Sequence, residues 1–134
     1  MHTRVGAFPE ISAFGYRAYW LLRKLHAKHQ FDVIHDNQSL GYGLLLMKTL
    51  GVPVVATVHH PLAIDLRTML ERSPGFVKKA KFVMFYPLLM QRIVSPLLDH
   101  VMTVSEDSKK RNKQHLGVSL KKQTVVYNGI DLGI

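Results

Sequence analysis

A run of uncharged residues at positions 54–58, with the sequence VVATV, follows Gly51 and Pro53, which end the helical pattern before it. Its composition is typical of a strand covered on both faces, as in a parallel sheet flanked by helices. The run ends in His59 and His60. Ligands of open α/β sheets bind beyond the carboxyl ends of the strands, so these two histidines are the leading functional candidates.

Three further short apolar runs have the character of strands, and helical patterns separate them. We predict strands at residues 31–35 (FDVIH), 54–58, 100–105 (HVMTVS) and 124–127 (TVVY), and helices at 16–28, 40–50, 88–98 and from Ser105 to Gly117. Strands that alternate with helices indicate an α/β fold with right-handed crossovers. The predicted fold is a partial, Rossmann-like parallel sheet of about four strands with flanking helices.

Several residues refine this prediction. The first 15 residues hold two glycines and a proline and show little periodicity, so we interpret them as a loop with a short extended piece at residues 5–8. Tyr19 and Trp20 extend the apolar stripe of the first helix and are predicted to pack in the core. Gly41 and Gly43 lower the helix propensity of their segment, which indicates the close approach of another backbone or a ligand.

Basic residues outnumber acidic ones by 18 to 9, for a net charge of +9. This excess favours anionic partners, whether nucleic acid, nucleotide phosphates or an acidic membrane surface. After Ser105 the basic residues have a structural explanation. An N-cap and two acidic residues suit the positive end of a helix dipole, and the basic residues that follow approach its negative end. In the basic segment with Lys78, Lys79 and Lys81, a solvated face and a membrane-binding face are both possible.

Composition excludes several classes of protein. A hydrophobic fraction of 47% and a charged fraction of 20% are those of a folded globular domain rather than a disordered chain. No apolar run approaches the roughly 20 residues of a membrane span. The chain contains no cysteine, which excludes thiolate metal sites and fits a reducing cytosol. Adjacent histidines on a strand point to opposite sides, which is poor geometry for one metal ion.

Four motifs in order resemble the later half of the N-terminal domain of family 4 glycosyltransferases, the glycosyl transferase group 1 class. They are DVIHDN, GVPVVATVHH, HVMTVSEDSKK and TVVYNGID, and the resemblance covers residues 31–131. It implies a GT-B arrangement, in which two Rossmann-like domains face each other across a cleft. It also implies metal-independent, cofactor-free transfer of a sugar from a nucleotide-sugar donor to a sugar, lipid or small-molecule acceptor, with retention at the anomeric carbon.

The resemblance also implies roles for individual residues. His59 matches the histidine that ends the family's TxH strand and faces the reacting sugar, so it is the candidate catalytic residue. The candidate substrate-binding residues on the acceptor side are Asn37, His60, Asp65 and Ser105. His35 ends the neighbouring strand, and both a functional role and a purely structural one remain open for it. An imidazole at this edge can donate a hydrogen bond to a sugar hydroxyl or to charge developing on the leaving phosphate.

The sequence also departs from the family pattern. No strand with a glycine-rich, phosphate-approaching loop precedes Tyr16, so we expect a fragment in which residues 1–127 are part of the N-terminal, acceptor-side domain. Residues 128–134 then begin the interdomain connection, and the C-terminal donor-binding domain is absent. We therefore expect no transferase activity from the isolated chain, and self-association through an exposed sheet edge.

Alternative functions remain open at this point. The protein is expected in the cytoplasm, with a peripheral position at the inner face of the membrane as a further option. A small basic module that binds nucleic acid or a membrane surface is the main alternative, although no recognised nucleic-acid motif is present. A degenerate sugar-binding protein of the same fold is another. Neither a GxSxG nucleophile elbow nor a P-loop signature occurs.

Overall fold

The centre of the molecule is an open sheet of four parallel strands in the order β1-β2-β3-β4. The computed structural model describes residues 7–63, 75 and 88–129. The strands are β1 (Ile34–Asn37), β2 (Val54–Val58), β3 (His100–Thr103) and β4 (Gln123–Val125). Each pairs in parallel with the next. The predicted α/β fold with a Rossmann-like parallel sheet is therefore confirmed.

Helices and short 3-10 turns connect these strands. They are α1 (Ala7–His29), α2 (Gly43–Met47) with a turn at Lys48–Leu50, α3 (Leu88–Val94) with a turn at Ser95–Leu97, and α4 (Glu106–Leu116) with a turn at Leu120–Lys122. Because the strands run parallel, their amino ends lie together along one side of the sheet and their carboxyl ends lie together along the opposite side, which we call the carboxyl edge. Residues that follow neighbouring strands therefore meet at a common edge.

One face of the sheet carries the hydrophobic core. Val54, Ala56 and Val58 have no exposed surface, whereas Val55 and Thr57, which alternate with them, are only half-buried. The core residues outside β2 are Ile34, Leu40, Leu44, Met47, Val52, Met90, Val94, Leu98, Val101, Leu116 and Val118. Full burial of one valine side chain stabilises a fold by roughly 1.5–3 kcal/mol, so β2 is a central contributor to stability.

Helix α1 begins at Ala7, so our interpretation of the first 15 residues as a loop is wrong from that point on. The six residues before it lie outside the described part of the chain. Pro9 does not interrupt the helix, because proline is tolerated in the first turn, where amide hydrogens have no partner within the helix. Glu10 suits the positive end of the dipole. Gly15 is buried inside the helix rather than ending a loop.

Gly15 and Gly43 bring α1 and α2 into direct backbone contact. A β-carbon built on Gly43 would lie 2.4 Å from the carbonyl carbon of Gly15. One built on Gly41 would lie 3.1 Å from Cγ2 of Ile11. The predicted close approach of another backbone is therefore confirmed at Gly43, where the approaching group is α1. At Gly41 the nearest group is the side chain of Ile11 rather than a backbone or a ligand.

The aromatic pair of α1 is divided between the core and the surface. Tyr19 is half-buried and packs against the core, as predicted. Trp20 is exposed, so its predicted core position is wrong. Adjacent residues lie about 100° apart around the axis, and the side of α1 that packs on the core includes Tyr19 but not Trp20. The two rings meet edge to face, with their centroids 5.4 Å apart.

The ends of the predicted elements shift by a few residues. β1 begins at Ile34 rather than residue 31, because the residues before it complete the end of α1. There the Phe31 amide donates to Nδ1 of His26 at 3.0 Å, and Gln30 has a φ of 50°. By contrast, α4 ends at Gly117 as predicted, in a left-handed conformation with a φ of 75°.

Some predictions fall where the structure gives no description. Asp65 and the basic segment with Lys78, Lys79 and Lys81 lie outside the described residues. Among the strands that are described, β1 is an outermost strand, because it pairs with β2 alone. Self-association through that edge stays a prediction. In the described residues no helix has both the length and the apolar character required to cross a bilayer.

Asp99 secures the edge at which the strands begin. Its carboxylate accepts a hydrogen bond from Nζ of Lys48 at 2.5 Å and another from the backbone amide of Val54 at 2.8 Å. These two bonds, aided by the charges of Lys48 and Lys122 and opposed by partial burial, hold the pKa of Asp99 below its ordinary value of 3.8. The segment before β3 is thus tied to the first residue of β2.

We expect Gly43→Ala to destabilise the protein by about 2 kcal/mol or more, because the new methyl group overlaps the backbone of Gly15. Helix propensity alone would favour alanine by up to about 1 kcal/mol, so a net loss of stability must come from the overlap with Gly15. Urea unfolding followed by circular dichroism measures the effect. Gly129→Ala is the matched control, since nothing lies within 4 Å of its added β-carbon. Equal stability of the two variants would contradict the contact.

We expect Asp99→Asn to lower stability at neutral pH by up to about 1 kcal/mol, the size of one hydrogen bond. Because the pKa of Asp99 is depressed by folding, its contribution is present above the unfolded value of 3.8 and is lost as the pH falls through the folded value. Unfolding free energies of wild type and variant should therefore converge below about pH 3.8. A difference that is constant with pH would contradict this role. Lys48→Gln should raise the pKa of Asp99, as measured by NMR of its carboxyl carbon.

Candidate functional site

His59 lies at the edge where the strands end, immediately after β2, and its side chain is exposed. Its ring atom Nε2 is 3.1 Å from Oδ1 of Asn37, the last residue of β1. In the tautomer that carries the proton on Nε2, the ring donates to this amide oxygen, which can only accept. The neutral ring then presents its Nδ1 lone pair as the remaining hydrogen-bonding position. The sequence-predicted residues His59 and Asn37 are therefore brought together.

Gln38 binds the backbone on either side of this histidine. Its Oε1 accepts from the amide of His59 at 2.7 Å, and its Nε2 donates to the carbonyl of His60 at 3.1 Å. Gln38 has a φ of 63°, which is uncommon for a residue other than glycine. Sequence reasoning missed Gln38. Its position could have revealed it, because Gln38 is a polar residue directly after β1 and therefore lies at the same edge as the histidines.

Asp36 holds the loop that carries Gln38. Its Oδ2 accepts from the amide of Leu40 at 3.0 Å, and its Oδ1 accepts from the hydroxyl of Ser39. Leu40 is fully buried, so it fixes the end of the loop in the core. A carboxylate that bonds the backbone a few residues ahead is a standard way to stabilise a tight loop. The loop is therefore supported on both sides of Gln38.

Ser105 and Ser108 connect α4 to the same histidine. The amide of Ser108 donates to Oγ of Ser105 at 3.0 Å, which confirms Ser105 as the N-cap. The hydroxyl of Ser105 donates to Oγ of Ser108 at 3.0 Å, and that of Ser108 donates to the carbonyl of His59 at 3.1 Å. Ser108 was not predicted. The ring, amide and carbonyl of His59 are thus each held by a different residue.

The other candidate residues differ in their surroundings. His60 is exposed beside His59, and its carbonyl belongs to the contact with Gln38. The Nε2 atom of His35 is 2.8 Å from Oγ1 of Thr57 on the adjacent strand. Asp65 lies outside the described residues. The structure thus groups Asn37, His59, His60 and, through Ser108, Ser105.

Two further features bear on where a ligand could bind. A cavity of about 150 Å³ lies between α1, β1 and α2, and its lining is mainly apolar. It includes His35 and Asp36 but not His59, so it reflects packing beside β1 rather than the histidine cluster. Over residues 7–63, 75 and 88–129, no group of three or more histidine or acidic side chains is arranged to hold a metal ion.

The chemistry available at this edge is hydrogen bonding by an oriented imidazole. In its neutral form the ring of His59 can accept a proton from a hydroxyl through Nδ1, while Asn37 keeps Nε2–H in place. When the ring is protonated, Nδ1–H can donate to an anionic oxygen. Either partner is a group found on sugars and on nucleotide phosphates.

Comparison with known proteins agrees with this arrangement. The model of the family described as Glycosyltransferase Family 4 matches residues 1–133. The chain belongs to glycosyltransferase family 4. It is also 34% identical over 129 residues to the MMP alpha-(1->4)-mannosyltransferase of Mycolicibacterium hassiacum, a match that covers 96% of this chain and 31% of that protein. The chain thus spans about a third of the length of this relative.

Membership in glycosyltransferase family 4 confirms the resemblance found in the four motifs. Those motifs contain the ends of all four strands, so they describe the edge at which His59 lies. The roles of His59, His60, Asn37, Asp65 and Ser105 in binding or catalysis stay predictions. Their positions, where described, are compatible with a shared site at that edge.

We expect Gln38→Ala to loosen the segment at His59 without unfolding the protein, because it removes two hydrogen bonds from a surface loop. The amide of His59 should then exchange with solvent roughly fivefold faster, as measured by hydrogen-exchange NMR, since one net hydrogen bond contributes about 1 kcal/mol. Gln114→Ala, on the exposed side of α4, is the control and should leave this rate unchanged. Unaltered exchange in Gln38→Ala would show that the side chain does not hold the segment.

Proposed function

We propose that this chain forms the acceptor side of a glycosyltransferase that moves a sugar from a nucleotide-sugar donor to an acceptor with retention. The observation that supports it is the exposed imidazole of His59, which is oriented by Asn37 and fixed through its backbone at the carboxyl edge of the parallel sheet. Membership in a family of glycosyltransferases agrees with this reading. Such an edge is where open α/β sheets bind their ligands.

The proposed enzyme has the GT-B arrangement of two facing domains. We assign residues 1–127 to the acceptor-side domain and residues 128–134 to the start of the connection between domains. Asn128 and Gly129 are exposed and follow β4, as expected of a connecting segment. In the proposed arrangement the other domain binds the donor. For this reason we expect the 134-residue chain to show no transfer by itself.

In the proposed reaction, the anomeric carbon of the donor exchanges its bond to a phosphate oxygen for a bond to an acceptor oxygen. The departing phosphate oxygen keeps the electron pair of the broken bond and takes the proton that the acceptor hydroxyl gives up, so the nucleotide leaves with its phosphate. His59 contributes by hydrogen bonding, either accepting from a sugar hydroxyl through neutral Nδ1 or donating to the phosphate when protonated. Asn37 keeps the ring in position, and the carboxamide of Gln38 keeps its backbone in position. We propose that neither a metal ion nor another cofactor takes part.

The identity of the sugar follows only from the relative. Since that protein is named as a mannosyltransferase, a mannosyl group is our first proposal for the sugar that is transferred. We propose that His60, Asp65 and Ser105 bind the acceptor, which is a sugar, a lipid or a small molecule. The cytoplasm is the proposed location, and the lack of cysteine fits a reducing compartment.

The nucleic-acid-binding alternative gains no specific support. In α4, Glu106 and Asp107 occupy the first turn and Lys113 and His115 the last, so the charge follows the helix dipole as predicted. Arg111 is paired with Asp107 at 2.6 Å. The basic character of this helix therefore has a structural cause that requires no anionic ligand.

We use a simple hexoside as the probe for a sugar acceptor, because the relative's name denotes an alpha-(1->4) link. We expect it to shift the amide resonances of Asn37 and His59 in the 134-residue chain, with no sugar transfer from GDP-mannose. His59→Ala should weaken this binding about three- to tenfold, the effect of losing one hydrogen bond. NMR titration measures the binding and product analysis measures transfer. His29→Ala, an exposed histidine at the end of α1, is the control and should bind like wild type.

Two results would contradict the proposal. Transfer by the isolated chain would show that the donor site lies within it. Shifts confined to residues away from the carboxyl edge, or equal binding by His59→Ala and wild type, would show that His59 does not contact the acceptor.

A further inference from the structure

The outer side of α1 exposes an unusual amount of apolar surface. Phe14 is 64% exposed, Tyr16 47%, Trp20 56% and Leu21 58%. All four lie within two turns of one helix, whose other side packs on α2 and the core. Phe14 also borders the cavity between α1, β1 and α2, whereas Tyr16, Trp20 and Leu21 do not. Large apolar side chains that are grouped on a surface mark sites of interaction, whereas single ones do not.

Four exposed cations lie among these apolar residues. They are Arg17, Arg23, Lys24 and Lys28. The guanidinium of Arg23 lies 5.5 Å from the centroid of the Trp20 ring. Glu10, in the first turn, is the sole acidic residue of α1. The rest of the helix therefore presents positive charge without compensation from its own sequence.

The two kinds of residue form mixed stripes along the helix. Phe14, Arg17, Leu21, Lys24 and Lys28 succeed one another at helical spacings of three and four, so they lie along one line. Tyr16, Trp20 and Arg23 form a second line with the same kind of spacing. We call the surface made by these eight residues the outer face of α1. Its apolar and cationic groups alternate rather than separate.

We propose that the outer face of α1 docks on the surface of a lipid bilayer that contains anionic lipids. Tyrosine and tryptophan favour the boundary between headgroups and acyl chains, because their rings are apolar with one polar atom. Phenylalanine and leucine add apolar area there, and arginine and lysine reach the lipid phosphates with their charged ends. The charge of the face is complementary to an anionic membrane surface, which attracts basic segments.

The same features argue against two other occupants. Nucleic acid would pair with the cations, but it would leave the aliphatic side chain of Leu21 in water. A second copy of this chain would bring Arg17, Lys24 and Lys28 of both molecules together, and like charges oppose that contact. A bilayer with anionic lipids satisfies both the apolar and the cationic residues. This proposal is independent of the role given to His59.

Trp20 provides a direct test, because it is the only tryptophan in the chain. The 134-residue protein is mixed with phosphatidylcholine vesicles that either contain or lack phosphatidylglycerol. We expect co-sedimentation and a blue shift of tryptophan emission with the anionic vesicles alone, since the ring then leaves water. Lipids brominated on their acyl chains should quench this emission.

Matched variants separate the outer face from net charge. Lys24→Gln with Lys28→Gln should weaken vesicle binding roughly thirtyfold, the expected effect of two lysines beside an anionic bilayer. Lys110→Gln with Lys113→Gln removes the same charge from exposed positions on α4 and should have little effect. Leu21→Ser should reduce binding and the blue shift, whereas Leu120→Ser, at another exposed leucine, should not.

Several results would overturn the proposal. Unchanged Trp20 emission with anionic vesicles would show that the face stays in water. Equal losses in the α1 and α4 lysine variants would show attraction by net charge alone. A blue shift of Trp20 emission that occurs without lipid and disappears when the protein is diluted would identify self-association. Salt-sensitive binding to an oligonucleotide that requires Lys24 and Lys28, without vesicle binding, would identify nucleic acid as the occupant.

Discussion

Strand β2 is held at both of its ends by side chains from neighbouring segments, and the rest of the structure depends on this arrangement. At the start of the strand, the carboxylate of Asp99 accepts the amide of Val54. Beyond its end, the carboxamide of Gln38 accepts the amide of His59. Between these points, three side chains without exposed surface fix the strand in the core. The position of His59 is therefore set by the packing of β2 as much as by its own contacts.

Much of this arrangement could be predicted from the sequence, because the relevant signals are local. The apolar run at residues 54–58, the N-cap at Ser105 and the stop at Gly117 each specify backbone geometry through a few adjacent residues. Parallel pairing follows from the alternation of strands and helices, and it places the residues after each strand at a common edge. The pairing of His59 with Asn37 is a consequence of that topology rather than of sequence proximity.

The features that could not be predicted depend on contacts between distant segments. Gly15 suggested a break in the sequence, but its role is to admit the backbone of Gly43, which is visible only when α1 and α2 cross. Trp20 has the same chemical character as Tyr19, and only the direction of the helix face decides which ring is buried. The part played by Gln38 requires a loop with positive φ to come beside His59.

The two ends of β2 use the same kind of bond for different purposes. Asp99 also pairs with Lys48, so both of its carboxylate oxygens accept hydrogen bonds from groups beside the start of β2. Around His59 the backbone is bonded by Gln38 and Ser108, and the ring by Asn37 through Nε2 alone. An exposed side chain normally samples several rotamers, and fixing it in advance reduces the entropy lost on binding. The contacts at this edge leave one ring nitrogen to an incoming group while they restrict the motion of the rest, which is what the binding role proposed for His59 requires.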